Sequence, residues 1–336
     1  MRVLSGFVPL IAFLGLGLTP AMAQPVAPGA VEGLPWSQVG PCEVTVLDQD
    51  WLDGGRRRQV PVRIYYPESD QQPCPVVVFS HGLGGSREGY EYLGRHWASH
   101  GYVSVHLQHI GSDTAVWQGS QDPMGDMRRA AARPANAINR PLDVRFALDR
   151  LAVVNAQDGV LRGKLDMAHV GMAGHSFGAY TTLAAAGQVF ATRGDRQVTL
   201  SDPRIKAAIP MSAPVPSRGS LDTAFGAIAI PCLHMTGTLD DSLINETRAA
   251  QRRLPFDHSP GPDKYLVTFE GGDHMIFSGR GRRANRPGDA LFQGLIRTVT
   301  TAFWNAYLRD DADAKAWLTG EGVLTSLGRY GAIERK

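Results

Sequence analysis

The sequence predicts an α/β fold with a mostly parallel central sheet, an antiparallel N-terminal hairpin and helices on both faces. Three observations carry this. Short apolar runs alternate with amphipathic stretches through most of the chain, the order expected of strands joined by crossover helices. One run, Pro75-Val76-Val77-Val78-Phe79-Ser80, is continuously apolar, as a strand buried on both faces must be. A Gly-x-Ser-x-Gly segment stands between an apolar run and a small-residue helix, at residues 174–178.

Taken in order, residues 44–48 and 59–66 are rich in β-branched and aromatic side chains. Asp53-Gly54-Gly55 between them marks the turn of a hairpin. The strand at 75–80 runs into His81-Gly82-Leu83-Gly84-Gly85. A helix is expected over about 88–100, stopped by Gly101, and a strand over 102–106. Between 111 and 134 the pattern breaks down around Trp117, which reads as a surface loop or as a partial cover over a site. Helical periodicity returns at 136–154, with Val144, Ala147, Leu148 and Leu151 on one face. Arg140 and Asp143, one turn apart there, are expected to pair. Strands follow at 170–173, 205–211, 232–235 and 265–269. An amphipathic helix carries Phe292, Leu295, Ile296, Val299, Ala302 and Phe303 on one face.

The composition is that of a folded protein. Of 336 residues, 43 % are hydrophobic and 20 % charged, which excludes wholesale disorder. The formal net charge is +2 with both signs interspersed, so no nucleic-acid partner is expected. Met1-Arg2, an apolar run over 3–18 and the small-x-small Ala21-Met22-Ala23 form the pattern of a cleaved secretory signal peptide, residues 1–23. A membrane anchor would need a longer run, so no stable insertion is expected after cleavage. The expectation is an exported, periplasmic or secreted protein with a single catalytic domain over 24–336. The short interval between Met211 and Cys232 leaves no room for a large lid domain.

Between a strand and a helix, Ser176 would occupy a sharp turn that raises its hydroxyl above the sheet edge, with a helix N-terminus beneath it. A serine hydroxyl needs a base, and the base an orienting acid. Of the downstream histidines, His234 falls inside a strand and His258 in a polar turn. His274 follows the last strand and is the expected base. Asp240 is the preferred acid, with Asp241 left open beside it and Asp273 a weaker rival. The backbone N–H groups of Phe177 and Leu83 are the expected oxyanion donors. His81, His106 and His109 lie near strand ends. They read as hydrogen-bonded loop histidines rather than metal ligands, because no carboxylate is placed with them. No metal or organic cofactor is needed.

With FSHGLGG at 79–85, GHSFG at 174–178, residues 236–242 and Gly272-Asp273-His274, the chain resembles the α/β-hydrolase superfamily. More narrowly it resembles plasma-type platelet-activating-factor acetylhydrolases and bacterial dienelactone-hydrolase-like esterases. Bacterial polyester hydrolases share the layout. The resemblance implies a carboxylic ester hydrolase that acts on small-molecule, lipid or polymer esters through an acyl-enzyme. An amidase or peptidase with the same triad, and a non-catalytic binding protein on the same fold, are the alternatives. Two departures stand out. The acetylhydrolases carry their acid after the strand that here ends Met211-Ser212-Ala213, where this chain has none, and dienelactone hydrolases use a cysteine where this chain has Ser176. The three cysteines, Cys42, Cys74 and Cys232, are expected to be free thiols, with Cys232 buried in its strand.

Overall fold

A computed structural model describes residues 36–68, 73–192, 196–242, 244, 247–279 and 288–336. The expected signal peptide lies outside the described residues. The hairpin forms from β1 (Glu43–Asp53) and β2 (Arg58–Glu68), paired antiparallel along their whole length. Then come β3 (Cys74–Ser80), α1 (Glu91–Ser99), β4 (Val103–Leu107), α2 (Pro123–Ala132) and α3 (Pro134–Ala156). β5 (Leu165–His175) leads directly into α4 (Phe177–Ala186). A small hairpin of β6 (Val189–Ala191) and β7 (Gln197–Thr199) stands apart from the main sheet. β8 (Ile205–Met211), α5 (Leu221–Phe225), β9 (Cys232–Leu239), α6 (Leu254–Asp257) and β10 (Lys264–Asp273) complete the alternation. The chain closes with α7 (Asp289–Leu308), α8 (Ala312–Thr319), α9 (Glu321–Leu327) and β11 (Gly331–Arg335).

The main sheet has the order β1-β2-β4-β3-β5-β8-β9-β10-β11. β4 through β10 run parallel, and β2 and β11 are antiparallel to their inner neighbours. This is the α/β-hydrolase arrangement. Strand pleating sends alternate side chains to opposite faces. Val77 and Phe79 of β3 join Leu93 and Trp97 of α1 and Phe303 and Trp304 of α7 in one buried layer. Val76 and Val78 point the other way, to Val144, Leu148 and Leu151 of α3. Every residue of β3 is buried, as its unbroken apolar run requires. The parallel order puts the C-terminal ends of β3, β5, β8, β9 and β10 on one edge, where a ligand site in such a sheet belongs.

Two expectations change. The 111–134 stretch is not a bare loop: it holds a 3-10 turn at Thr114–Val116 and the helix α2, which Asp122 caps by accepting the Gly125 N–H at 2.9 Å. Arg140 and Asp143 do not pair. Asp143 takes Arg56, Arg58 and His109 instead, and Arg140 turns toward the loop after β3. The described part of the interval before β9 contains only the five-residue α5. All three cysteines are free, Cys74 and Cys232 buried and Cys42 partly so. No helix among the described residues is long and apolar enough to cross a membrane.

Candidate active site

Ser176 sits between β5 and α4 with φ 57° and ψ −116°, a backbone conformation that costs about 1–3 kcal/mol for a non-glycine residue. Its neighbours make the turn possible. A Cβ on Gly178 would lie 1.8 Å from the Ser80 carbonyl oxygen, and one on Gly174 would lie 2.4 Å from that of Gly178. Any side chain at either position must displace backbone. The Ser176 N–H is tied to the Met211 carbonyl of β8 at 2.9 Å, which fixes the turn to the sheet.

His274 follows β10 directly. Its Nδ1 donates to Asp240 Oδ1 at 2.8 Å, while the ring keeps partial access to solvent. Asp240, just past β9, is fully buried. Its other oxygen, Oδ2, accepts Thr236 Oγ1–H at 2.9 Å and the hydroxyl of Ser212. Ser212 follows β8 directly, at a strand end that carries neither Asp nor Glu. Here it donates to an acid that arrives one strand later. Arg252 is buried alongside, giving hydrogen bonds to the carbonyls of Asp240, Ser212 and Ala213 at 3.1, 2.9 and 2.9 Å. Its Nε lies 3.5 Å from Asp240 Oδ1, so the buried carboxylate has a nearby cation. Asp241 points outward, accepts the Ala249 N–H at 2.9 Å and pairs with Arg248. Asp273 accepts the Met275 N–H within its own turn. His234 is buried against Phe256, and His258 meets Asp222.

Ser176, His274 and Leu83 line one cleft of about 260 Å3, whose walls include Trp117, Met124, Met127, Ile244 and Met275. The 111–134 segment is therefore a partial cover. It is tied down by Gly84 N–H to the Ser112 carbonyl at 2.9 Å and by Trp117 Nε1–H to the Gly84 carbonyl at 2.8 Å. In the loop after β3, three N–H groups are already used. Gly82 donates to Tyr90 Oη, Gly84 to Ser112 and Gly85 to Gly82. The N–H groups of Leu83 and Phe177 have no acceptor among the described residues.

Sequence reasoning missed several residues around this centre. Tyr90, at the start of α1, receives the Gly82 N–H at 3.3 Å and meets His175 Nδ1 at 2.8 Å. The His175 ring lies 4.6 Å from that of His274, and burial holds it far below the usual imidazole range, hence neutral. Nothing in the sequence signals Thr236, Ser212 or Arg252, which converge from different strand ends. The histidine reading also needs correction. His109 does have a carboxylate partner, Asp143, at 3.0 Å, with Ser80 Oγ on its other nitrogen at 2.9 Å. No group of three or more His, Cys, Asp or Glu side chains among the described residues is arranged to hold a metal ion.

The chain is similar to known esterases. Residues 59–128 match the family model for platelet-activating factor acetylhydrolase, isoform II. The chain is 25 % identical to the platelet-activating factor acetylhydrolase of Cavia porcellus over 150 residues, 37 % of this chain and 34 % of that one. It is 29 % identical to that of Canis lupus familiaris over 139 residues, 33 % of this chain and 31 % of the other. It is 27 % identical to cutinase 2 of Thermobifida cellulosilytica over 214 residues, 63 % of this chain and 64 % of that one. The chain thus spans about a third of the acetylhydrolases and under two thirds of the cutinase, and it resembles both.

Proposed function

We propose that the protein is an exported carboxylic ester hydrolase with a single catalytic domain over residues 24–336 and a Ser176–His274–Asp240 triad. The observation that carries the reading is the shared cleft. It holds a serine on a strained strand-to-helix turn and a histidine whose Nδ1–H is committed to a buried carboxylate. That commitment leaves Nε2 as the basic nitrogen, the tautomer a general base needs. Nε2 takes the Ser176 proton as Oγ attacks the ester carbonyl. The tetrahedral oxyanion is received by the N–H groups of Leu83 and Phe177, which have no other acceptor among the described residues. Collapse expels the alcohol, which His274 protonates. Water, activated by the same nitrogen, then releases the acid.

The walls favour apolar esters, and a cleft of about 260 Å3 suits a short acyl group. Relatives named acetylhydrolase and cutinase support ester chemistry. The leader pattern at 1–23 supports export. The test is labelling by a fluorophosphonate probe followed by peptide mapping, alongside hydrolysis of p-nitrophenyl acetate, butyrate and palmitate. Labelling at Ser176, hydrolysis falling with chain length, and loss of both in Ser176→Ala are expected. An unlabelled wild type, or Ser176→Ala with wild-type turnover, would end the reading. When the full chain is expressed in a bacterial cell and fractionated, protein outside the cytoplasm with a mature N-terminus at Gln24 is expected, and protein confined to the cytoplasm with Met1 intact would remove the export part alone.

A further inference from the structure

Beneath the loop that carries Leu83, one arginine is wholly buried. Arg140 lies on α3 in line with Val144, Ala147, Leu148 and Leu151, with the buried polar Asn136 and Asp143 one turn to either side. No carboxylate among the described residues forms an ion pair with it. Instead, Nε donates to Ser112 Oγ at 2.9 Å, and Nη1 donates to the His81 carbonyl at 2.7 Å and to Ser80 Oγ at 3.3 Å. Nη2 reaches the Gly82 carbonyl at 3.5 Å. The guanidinium also lies over the Phe177 ring, 4.3 Å from its centroid. One side chain thus touches both the loop that carries Leu83 and the residue that follows Ser176.

The protons around it can be assigned. The His109 N–H donates to His81 Nε2 at 3.0 Å, so in neutral His81 the proton is on Nδ1. That proton goes to the Gly82 carbonyl at 2.6 Å. The Gly85 N–H reaches the same oxygen at 3.0 Å. The Gly82 carbonyl is therefore held by His81 and Gly85, with Arg140 Nη2 at the edge of reach, 3.5 Å from that oxygen and 3.3 Å from His81 Nδ1. A trans peptide is planar, with its N–H opposed to its C=O. Fixing the Gly82 oxygen on the buried side turns the Leu83 N–H the other way, toward the cleft. The charge-assisted bond to the His81 carbonyl holds the preceding peptide in the same manner.

We infer that Arg140 is a positioning residue for the oxyanion donors: through the His81 and Gly82 carbonyls and the Phe177 ring, it sets the aim of the Leu83 and Phe177 N–H groups. The inference rests on the proposed ester hydrolysis. A correctly aimed donor matters most when charge appears on the carbonyl oxygen, so its loss lowers kcat more than it raises KM.

The test compares wild type with Arg140→Lys, which keeps a charge but cannot span both segments, and with Phe177→Leu, which removes the ring and keeps the N–H. Readouts are kcat and KM for p-nitrophenyl acetate, inhibition by a short alkyl boronic acid that forms a tetrahedral adduct, and thermal unfolding. Arg140→Lys is expected to lose about 10²-fold in kcat with KM within about threefold. Boronate affinity should weaken in parallel. Phe177→Leu is expected to lose about tenfold in kcat, in the same direction, where a single buried contact is removed. A lowered melting temperature with unchanged kcat and boronate affinity in the folded variants would overturn the inference and leave ester hydrolysis standing. If Arg140→Lys does not fold, Phe177→Leu decides alone. Wild-type kcat and boronate affinity in it would overturn the inference, and a parallel loss in both would support it. A wild type inert to esters and to fluorophosphonate removes the function reading and this inference together.

Discussion

The substitution Asp240→Asn is expected to lower kcat for p-nitrophenyl acetate by about 10³- to 10⁴-fold with little change in KM. The reason lies in the donors around the carboxylate. Oδ2 accepts hydroxyl protons from Thr236 and Ser212, and Oδ1 accepts the His274 Nδ1–H. An asparagine has one oxygen and one NH2. If the oxygen keeps the two hydroxyl donors, the NH2 faces His274 Nδ1, which must then accept. The ring proton moves to Nε2, and the nitrogen proposed as the base for Ser176 can no longer accept a proton. If the side chain flips, two hydroxyls face an NH2 in a buried site, and each must find another acceptor. Removing the charge also leaves Arg252 without its nearby anion. Asp241→Asn is the comparator. Its carboxylate is exposed and caps the turn at Ala249, so turnover within about twofold of wild type is expected for a surface change of this kind. The measurement is steady-state kinetics on both variants. Asp240→Asn within tenfold of wild type would place the acid elsewhere, with Asp241 and Asp273 the next to test.

How much of this could be read from the chain depends on how local the determinant is. The Ser176 turn was legible because its requirement is local. Gly174 and Gly178 must lack side chains for the strand and helix to meet, and that need is written within five residues. The stripe of Phe292, Leu295, Ile296, Val299 and Phe303 was legible because periodicity is a local signal too, and all five are buried. The α2 helix was not read: its flanks are polar, only Ala130 is buried within it, and Met124 and Met127 face the cleft rather than a core. β11 has only Ala332 and Ile333 as apolar side chains, and exists because the β10 edge offers it a partner. α8 has no expectation behind it; in the structure Asp311 caps it, accepting the N–H groups of Asp313 and Ala314 at 3.0 Å.

The contacts of the candidate site were the least legible part. Arg140 and Asp143 are a turn apart, and spacing alone suggested a pair. The fold gives Asp143 three other partners and gives Arg140 a set of carbonyls. Periodicity carried a warning that was available, since an arginine in line with Val144 and Leu148 must be buried and must therefore find acceptors. Ser212 and Thr236 meet Asp240 only because β8 and β9 lie side by side, and neither has a motif around it.

Stability is expected to fall steeply as the pH drops below about 6.5, through histidines the fold buries without charge. Burial lowers His96, His106 and His234 to about 3 and His109 to about 4, and it pushes His175 well down as well. In the unfolded chain each titrates near 6.5. Below that value the unfolded state binds protons that the folded state refuses, so lowering the pH favours unfolding. The folded state has its full advantage above pH 6.5 and loses it progressively as the pH falls toward the folded-state values. Each such histidine costs about 1.4 kcal/mol per pH unit once it is protonated only in the unfolded chain. Several acting together exceed the margin of an ordinary domain within two units. Asp143, held down to about 2 mainly by its bonds to His109 and Arg58 against the cost of burial, keeps its contribution through this window and loses it only in stronger acid. Urea unfolding at intervals between pH 8 and pH 4.5 measures the slope. A flat profile down to pH 5 would show that these rings take up protons without opening the fold. His234→Phe isolates one of them. The ring is buried against Phe256, and both its nitrogens lack a partner among the described residues. An isosteric apolar ring there should remove about 1.4 kcal/mol per pH unit from the acid slope while leaving the stability at pH 8 equal or higher.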